Sequence, residues 1–362
     1  MRSGRSETAG NRYFRSMCEV PPGFEDGIMI ASSTRSTHAD NPPEPLPYHR
    51  MARLTPRTRK WWRPLLVLLL AAGLIGAFFA VALVVTVLFG MVPGIPEPTA
   101  DMEDPRNPVD MFATLGMLAI GVPAVALAFR WAGGRRGETT GTLHSVVGRF
   151  RWSLMGRAAL VVVPVFGVAN VGGFFLLPPP DLSVPRGGLS LLLVYVVIVA
   201  LTPLQCAAEE YVFRALPQQV LGTWLRLPVW GILLPVPLFM VGHGYSWVGQ
   251  IDIAVFAVCT GLLVWKTGGV ELSILVHAAN NGTLFLLAPF SPSSMQQGDT
   301  SPLELLFSLP PVVLTTLGLF WWVSRRDGLR LLEPVRGRGR LIPCTGTSTK
   351  SHRNDAVVGI PA

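Results

Sequence analysis

The chain has 362 residues, of which 50% are hydrophobic and only 14% are charged, and its mean hydropathy is +0.44. One soluble core cannot bury this much apolar surface, so the composition excludes an ordinary soluble domain and indicates a polytopic membrane protein. The net charge is +8, but the basic residues lie beside the ends of apolar segments, so we attribute them to membrane topology and expect no nucleic-acid partner.

The first 60 residues are rich in Ser, Pro, Arg and Glu and lack apolar periodicity. Such a segment buries too little surface to fold alone, so we predict a disordered cytoplasmic region over 1–60. Within it, Met51 is followed by basic residues and a long apolar run, as at the start of a signal-anchor span. We therefore hypothesise that residues 1–50 are a dispensable extension, which N-terminal sequencing of the native protein would test.

Apolar windows of about 20 residues predict an all-α bundle of about eight membrane spans, three of them short. They form N-terminal spans within 61–177, a core within 189–287, and a last loop and span within 288–323. Prolines in or beside several spans predict kinks, which help to open a polar cavity inside the bundle. The candidate spans are Leu65–Met91, Met111–Trp131, Ala158–Leu177, Leu189–Ala207, Pro228–Val241, Ile251–Trp265, Ser273–Leu287 and Leu303–Val323.

Charged residues flank the predicted spans in an alternating pattern. Basic residues precede the first span, separate the second from the third and follow the last, whereas the segment between the first two spans is acidic. The positive-inside rule therefore predicts a multi-pass protein of the cell membrane with both termini in the cytoplasm. The polar and basic composition of residues 324–362 predicts a disordered C-terminal tail.

Two adjacent carboxylates and an arginine directly follow the predicted span Leu189–Ala207. Charge in hydrocarbon is costly unless it is paired or used. In a helix, Glu210 and Arg214 are four residues apart and share a face, whereas Glu209 points about 100° away. This spacing predicts one glutamate that is neutralised by Arg214 and one that stays reactive.

Two further polar pairs interrupt the apolar segments that follow, Phe239-x-x-x-His243 and His277-x-x-x-Asn281. The four-residue spacing places His277 and Asn281 on one helical face, where both side chains address the same small site. We expect these polar side chains to line a cavity within the membrane and not to face lipid.

Each cluster has a structural explanation when it is taken alone. Glu210 and Arg214 suit a simple ion pair at a helix end, and a single buried histidine is more often a packing residue than a ligand. The coincidence of two glutamates, two histidines and an asparagine in neighbouring apolar segments is not explained in this way. A carboxylate that takes a proton from water, an imidazole that shares it and neutral donors for an oxyanion are the requirements of amide hydrolysis without a covalent intermediate.

The same side chains leave a metal mechanism open. Glu209, His243 and His277 are acceptable ligands for Zn²⁺ or another divalent metal, with water in the fourth position. Their spacing lacks the two-histidine helical motif of zincins, so a metal cannot be deduced from it, and a metal-free mechanism also stays open. The four cysteines have no paired spacing and indicate neither a disulfide framework nor a zinc knuckle.

In this order and spacing, the three motifs resemble the CPBP family, which comprises CAAX prenyl proteases and bacteriocin-processing enzymes and is also called the Abi family. The segment Lys266–Gly269, shortly before the last motif, matches as well, and the resemblance covers roughly 189–287. It implies an all-helical intramembrane bundle with an active-site cavity and an endopeptidase activity.

Carried over residue by residue, the resemblance assigns catalytic roles to four residues and supporting roles to two. The family has been described both as metalloproteases and as metal-independent glutamate proteases, so the resemblance leaves the metal open. The substrates expected in the lipid bilayer are peptides or segments of membrane proteins. The resemblance makes Glu209 the base and His243 its partner. It makes His277 and Asn281 the oxyanion-stabilising residues, and Glu210 and Arg214 the supporting pair.

The predicted spans place Glu209 near the inner end of the fourth span and His243 near the outer end of the fifth, too far apart to share a water. Either the helix of Glu209 continues through Gln219, or Pro228–Val241 is not a straight span. Three prolines in this region favour the second option.

Two other function classes compete with a protease. A membrane transporter could use the glutamates and histidines as a proton relay, and a Glu209→Asp substitution could keep such a carrier working. A non-enzymatic membrane scaffold is the other alternative. The retained carboxylates and histidines argue against a scaffold, because a binding module has no reason to keep buried charge.

Overall fold

The structure is a computed structural model that describes residues 44–55, 58–132, 140–298 and 300–338. Within these ranges regular structure is almost entirely helical, which confirms the predicted all-α class, and seven helical stretches are long and apolar enough to cross a membrane. The predicted disorder of residues 1–43 and 339–362 lies outside the described residues. In chain order the helices are α1 (Arg63–Gly90), α2 (Pro108–Ala119), α3 (Gly121–Ala132), α4 (Trp152–Leu176), α5 (Leu189–Glu210), α6 (Leu216–Trp224), α7 (Val229–Leu233), α8 (Pro235–Val241), α9 (Trp247–Thr267), α10 (Glu271–Leu287) and α11 (Leu305–Asp327).

Helix α10 has a central place in the bundle. It packs against α4, α5 and α9, while α1 packs on α2 and α3 at the edge. Large apolar side chains such as Leu69, Leu160 and Val199 are exposed on the outer surface of the bundle. A soluble protein does not expose so much apolar surface, whereas bilayer hydrocarbon would cover it.

Helix α5 does not end at the glutamates. It continues through a π-helical turn, Tyr211–Ala215, into α6, so that Leu189–Trp224 is one stretch of 36 residues. At about 1.5 Å per residue, Glu209 lies roughly 22 Å from the Trp224 end and thus near the middle of the stretch. The helix of Glu209 therefore continues through Gln219, which was the first of the two options considered for this region.

The predicted span Pro228–Val241 is also not a straight helix. Helices α7 and α8 divide it, and neither is long enough to cross a membrane alone. Beyond α8, the Ser246 N–H donates to the Gly298 carbonyl at 2.8 Å, in the loop that follows α10. The eight predicted spans thus become seven long helical stretches and one short, broken connection, because several prolines interrupt this segment.

The two described ends of the chain meet on one face of the bundle. Strand β1 (Leu46–Pro47) pairs antiparallel with β2 (Arg336–Gly337). The pairing places the described residues near both ends of the chain on the same side of the bundle. That this side is the cytoplasm stays a prediction from the basic residues.

Residues 44–55 are ordered, contrary to the disorder predicted for 1–60. The Tyr48 side chain is fully buried and donates a hydrogen bond to the Leu143 carbonyl at 2.5 Å. Burial lowers the pKa of His49, whose Nε2 donates to the Arg226 carbonyl at 3.0 Å. Arg50 donates to two carbonyls at the C-terminal end of α6, those of Gly222 and Leu225. These contacts argue against a dispensable segment that reaches residue 50.

The disorder predicted for 324–362 is likewise wrong for its described part. Helix α11 extends to Asp327, and the buried Lys266 ammonium donates to the carbonyls of Arg330 and Glu333 at 2.9 and 2.5 Å. The Val335 N–H donates to the Lys266 carbonyl at 2.9 Å. A buried lysine with backbone partners on the tail explains why the polar composition did not produce disorder there.

We predict that Gly222→Ala destabilises the protein. A Cβ at Gly222 would lie 1.6 Å from the His49 carbonyl oxygen, so the segment Tyr48–Arg53 would have to move away from α6. Overpacking of this kind costs about 1–3 kcal/mol, which lowers the midpoint of thermal unfolding in detergent, followed by tryptophan fluorescence. Gly156→Ala is the control, because an added Cβ there meets nothing within 4 Å. Equal midpoints for the two variants would contradict the packing described for Tyr48–Arg53.

Candidate active site

The residues singled out in the core come together where α5, its π-helical turn, α9 and α10 meet. Glu209 and Glu210 end α5, Arg214 lies in the π turn, and His277 lies on α10. All four are buried, with exposed fractions between 0 and 9%. A single-turn π-helix often marks a functional site, because it reorients side chains within an otherwise regular helix.

Glu210 is a fully buried carboxylate whose oxygens are both occupied. Its Oε1 accepts from His277 Nδ1 at 2.9 Å, and its Oε2 accepts from Ser273 Oγ at 2.7 Å. Arg214 Nε lies 3.5 Å from Oε2, on the same helical face as the four-residue spacing predicts. Glu210 is therefore held as an ion by one cation and two hydrogen-bond donors.

Arg214 is held from two sides. Its Nε donates to Thr260 Oγ1 at 2.9 Å, and its guanidinium lies 4.1 Å from the centre of the Phe239 ring and 5.9 Å from that of Phe256. Aromatic faces stabilise a desolvated cation. The contacts fix Arg214 beside Glu210.

Glu209 has a different environment from that of its neighbour. Its Oε1 accepts from Gln205 Nε2 at 2.6 Å, one turn earlier on α5. Its Oε2 has no hydrogen-bond donor among the described residues and lies 3.5 Å from His277 Nε2. One oxygen of the carboxylate is thus oriented by the protein, and the other is free to accept a proton.

His277 is held in one tautomer by its neighbours. Its Nδ1 donates to Glu210, so Nε2 accepts the amide N–H of Asn281 at 3.2 Å. Asn281 is oriented in turn by Asn280, whose Nδ2 donates to Asn281 Oδ1 at 3.1 Å. The single lone pair of Nε2 is thus occupied by Asn281, and Nε2 lies 3.5 Å from Glu209 Oε2.

His243 is not part of this contact network among the described residues. Its Nδ1 donates to the Phe239 carbonyl at 2.8 Å, and its ring lies 4.6 Å from the Phe239 ring. The Phe239 ring therefore contacts both His243 and Arg214. Gln250 holds the turn at His243 by donating to the Met240 carbonyl at 3.2 Å and to the His243 carbonyl.

The expected metal ligands Glu209, His243 and His277 do not form one site in the part of the chain that the structure describes. No group of three or more His, Cys, Asp or Glu is arranged there to hold a metal ion. The ring of His243 packs on Phe239, and both ring nitrogens of His277 already have partners. This ligand set does not fit a metal centre as it stands, so we derive no step through a metal.

Asn281 and His243 differ in burial from the centre of the cluster. Both residues are partly exposed, whereas Glu210 and Arg214 are fully enclosed. An apolar cavity of 310 Å³ between α1, α2 and α3 has none of the cluster residues in its wall.

Sequence reasoning missed several residues of this network. Gln205 and Ser273 lie four residues before Glu209 and His277, so the spacing that paired Glu210 with Arg214 could have found them. Thr260, Asn170 and Asn280 contact the network from other positions. The only signal for them in the sequence is that each is a polar residue within an apolar span.

Glu271 is also more than the interfacial charge that its position at a span end suggests. It is fully buried and ion-paired with Arg151, whose Nη2 lies 2.7 Å from Glu271 Oε2. The Arg151 guanidinium also donates to the Thr267 carbonyl at 2.8 Å. This second ion pair fixes the start of α10 and so the position of His277 on the same helix.

Comparisons with known proteins support the resemblance. The model of the family described as type II CAAX prenyl endopeptidase Rce1-like matches residues 188–283. The uncharacterized protein YyaK of Bacillus subtilis (strain 168) is 26% identical over 232 residues, which cover 61% of this chain and 75% of that protein. No solved structure matches. The resemblance to the CPBP family that the three motifs predict is confirmed by the family match.

We predict opposite effects on stability for the two glutamates. Glu210→Gln leaves the buried Arg214 cation without its counter-ion, which costs about 3–5 kcal/mol. Glu209→Gln removes a carboxylate oxygen that has no donor, so its free energy of unfolding should be unchanged or higher. Thermal unfolding of both variants in detergent measures the difference. Equal destabilisation by the two substitutions would contradict the division into a bound and a free carboxylate.

Proposed function

We propose that the chain is an intramembrane endopeptidase in which Glu209 activates water to hydrolyse peptide bonds. The observation that carries the proposal is the contrast between the two glutamates. Glu210 is bound by a cation and two donors, whereas Glu209 Oε2 has no donor and faces His277 Nε2 at 3.5 Å. The match to a family of endopeptidases supports the reaction class.

The first step is attack of water on the substrate carbonyl. A water that donates to Glu209 Oε2 passes its proton to that carboxylate as the oxygen attacks, and His277 Nε2 can take the proton instead once the Asn281 N–H has left it. The carboxylate of Glu210 on Nδ1 stabilises His277 if the imidazole takes the proton, in the manner of a carboxylate–imidazole pair. Glu209 thus accepts the proton of the water, whereas Glu210 stabilises His277.

The second step needs a donor for the oxyanion and a proton for the leaving amine. The Asn281 amide N–H lies at the cluster and can donate to the oxyanion, and His277 can do so from Nε2 once it is protonated. Breaking of the C–N bond then returns the proton from Glu209 or His277 to the amine. No covalent enzyme intermediate is formed.

The role of His243 as partner of Glu209 stays part of the proposal. Its ring is held behind Phe239, so that role requires the turn at His243 to move when substrate binds. A bound metal is the alternative for the same three residues and would likewise require His243 to approach Glu209 and His277. Chelation tests that alternative directly.

The proposed substrates are peptides or membrane-protein segments that reach the site within the bilayer. We also propose that the face with β1 and β2 is cytoplasmic, since basic residues are concentrated near it. A proton-coupled carrier is the second candidate, because Glu209, His277 and Glu210 form a continuous chain of titratable groups. Arg214 argues against a carrier, because it holds Glu210 as an ion and so prevents Glu210 from passing a proton along the chain.

We expect purified protein in lipid to cleave a quenched peptide library or host membrane proteins, and Glu209→Gln to lower the rate about 10²- to 10⁴-fold, as for loss of a general base. His243→Ala should also abolish cleavage if His243 joins the site. Glu97→Gln is the matched control, because Glu97 is exposed in the loop after α1.

Two results would contradict this proposal. Cleavage unchanged in Glu209→Gln would mean that Glu209 is not the base, and loss of activity with a chelator would replace the metal-free step by a metal-bound water. Absence of cleavage together with proton-coupled uptake that survives in Glu209→Asp would favour the carrier.

A further inference from the structure

Four arginines from three segments of the chain lie together at the C-terminal end of α6. Arg50 Nη1 donates to the Gly222 and Leu225 carbonyls at 2.8 and 2.9 Å. Arg53 Nη1 donates to the Thr223 carbonyl at 2.8 Å. Each guanidinium thus uses one nitrogen on the helix, and its other nitrogens have no partner among the described residues. We call the four residues the arginine cluster, and its members are Arg50, Arg53, Arg226 and Arg336.

The other two members come from segments that contact the surroundings of His49. His49 Nε2 donates to the Arg226 carbonyl at 3.0 Å, and strand β2, which carries Arg336, pairs with β1 just before His49. Burial lowers the pKa of His49, and the nearby Arg50 and Arg336 lower it further. Burial also lowers the pKa of Arg50, and Arg53 and Arg226 add to that shift. The cations of the cluster are therefore near enough to repel one another.

The protein does not balance the charge of the arginine cluster. None of its four members forms an ion pair with a carboxylate among the described residues. The C-terminal carbonyls of α6 carry only about half a negative charge. A capping role explains why Arg50 and Arg53 contact α6, but it does not explain Arg226 and Arg336. Unpaired charges of one sign that are held together attract an anion.

Exposed tryptophans place the arginine cluster at the level of lipid headgroups. Trp224 is exposed at the end of the membrane-spanning stretch, and its Nε1 donates to the Trp61 carbonyl at 2.9 Å. Trp61 is itself exposed just before α1, and Trp230 is exposed four residues after Arg226. Tryptophans at the ends of spans mark the interface between membrane and water. The nearest abundant anions at this level are lipid phosphates.

We propose that the arginine cluster binds the phosphate headgroup of an anionic phospholipid. The guanidinium nitrogens that Arg50 and Arg53 leave free donate to the phosphate oxygens, and Arg226 and Arg336 supply further charge. The bound headgroup holds the N-terminal segment, α6 and β2 together from outside. The site does not depend on the proposed function, because it lies roughly 22 Å along the helical stretch from Glu209.

Added lipid tests the site through thermal unfolding of the full chain in a neutral detergent. Phosphatidylglycerol should raise the midpoint of the wild type, because a ligand that binds only the folded state stabilises it. Phosphatidylcholine, whose choline cation offsets its phosphate, should not. Arg226→Gln combined with Arg336→Gln should weaken the apparent affinity for phosphatidylglycerol about 25-fold, since each basic residue near a lipid surface contributes about fivefold. No rise in the wild-type midpoint would overturn the proposal.

Arg157→Gln combined with Arg325→Gln is the matched control. Both arginines are exposed, on α4 and α11, so the two double variants have the same net charge. The affinity of the control should stay within about twofold of the wild type, because salt screens exposed charges over short distances. Equal losses in the two double variants would show a general attraction of anionic lipid to basic residues and would overturn a specific site.

Soluble phosphates distinguish a lipid headgroup from a free anion. Inorganic phosphate and glycerol 3-phosphate carry the same anionic group without acyl chains, so at the same total concentration they should shift the midpoint much less than phosphatidylglycerol. A shift as large as that of the lipid, lost in Arg226→Gln with Arg336→Gln, would assign the arginine cluster to a soluble phosphate and overturn the lipid.

Photocross-linking locates the headgroup without any variant, and so tests the site even if a variant fails to fold. A phosphatidylglycerol with a photoreactive headgroup is added to the wild type, and mass spectrometry identifies the labelled peptides. Labels should lie within 44–55 or 222–230, the segments that carry Arg50, Arg53 and Arg226. Labels confined to other segments would overturn the proposal. Neither unfolding nor cross-linking requires peptide cleavage, so a failure here is distinct from a failure of the endopeptidase.

Discussion

The buried carboxylate of Glu210 is the group on which the site depends. It joins the π turn of the long helical stretch to α10 through Arg214, Ser273 and His277. Removal of Arg214 would leave the Glu210 carboxylate uncompensated in an environment without water, and loss of Ser273 or His277 would remove one of its hydrogen bonds. The contacts of Glu210 therefore fix both the packing of these helices and the orientation of the side chains in the site.

The same arrangement explains how two adjacent glutamates acquire different chemistry. Helical geometry turns one toward Arg214 and the other toward the open side of the cluster, where Gln205 orients only one of its oxygens. Asn170 on α4 donates to the Asn280 carbonyl beside this cluster, so a helix outside the motif region also contacts it. Carboxylate, imidazole and amide are thus oriented before a substrate arrives, which reduces the reorganisation needed in the transition state.

The sequence predicted those features that depend on spacing within one helix. The pairing of Glu210 with Arg214 and the shared face of His277 and Asn281 follow from a four-residue interval. Contacts between distant segments were not predicted, because no local pattern encodes them. Tyr48 buried against Leu143 is such a contact, and it is why residues 44–55 are ordered despite their polar composition. The position of His243 behind Phe239 likewise depends on prolines whose direction of bend cannot be read from their spacing.

Direct attack of a water activated by Glu209 is the central claim, and a single turnover in ¹⁸O-enriched water tests it most directly. A defined peptide is cleaved by excess enzyme, and mass spectrometry follows the label in the product and in the enzyme peptide that contains Glu209. Direct attack places one ¹⁸O in the new carboxyl terminus of the product and none in the enzyme. Label in the Glu209 carboxylate after that turnover would reveal a covalent acyl intermediate and would contradict the mechanism.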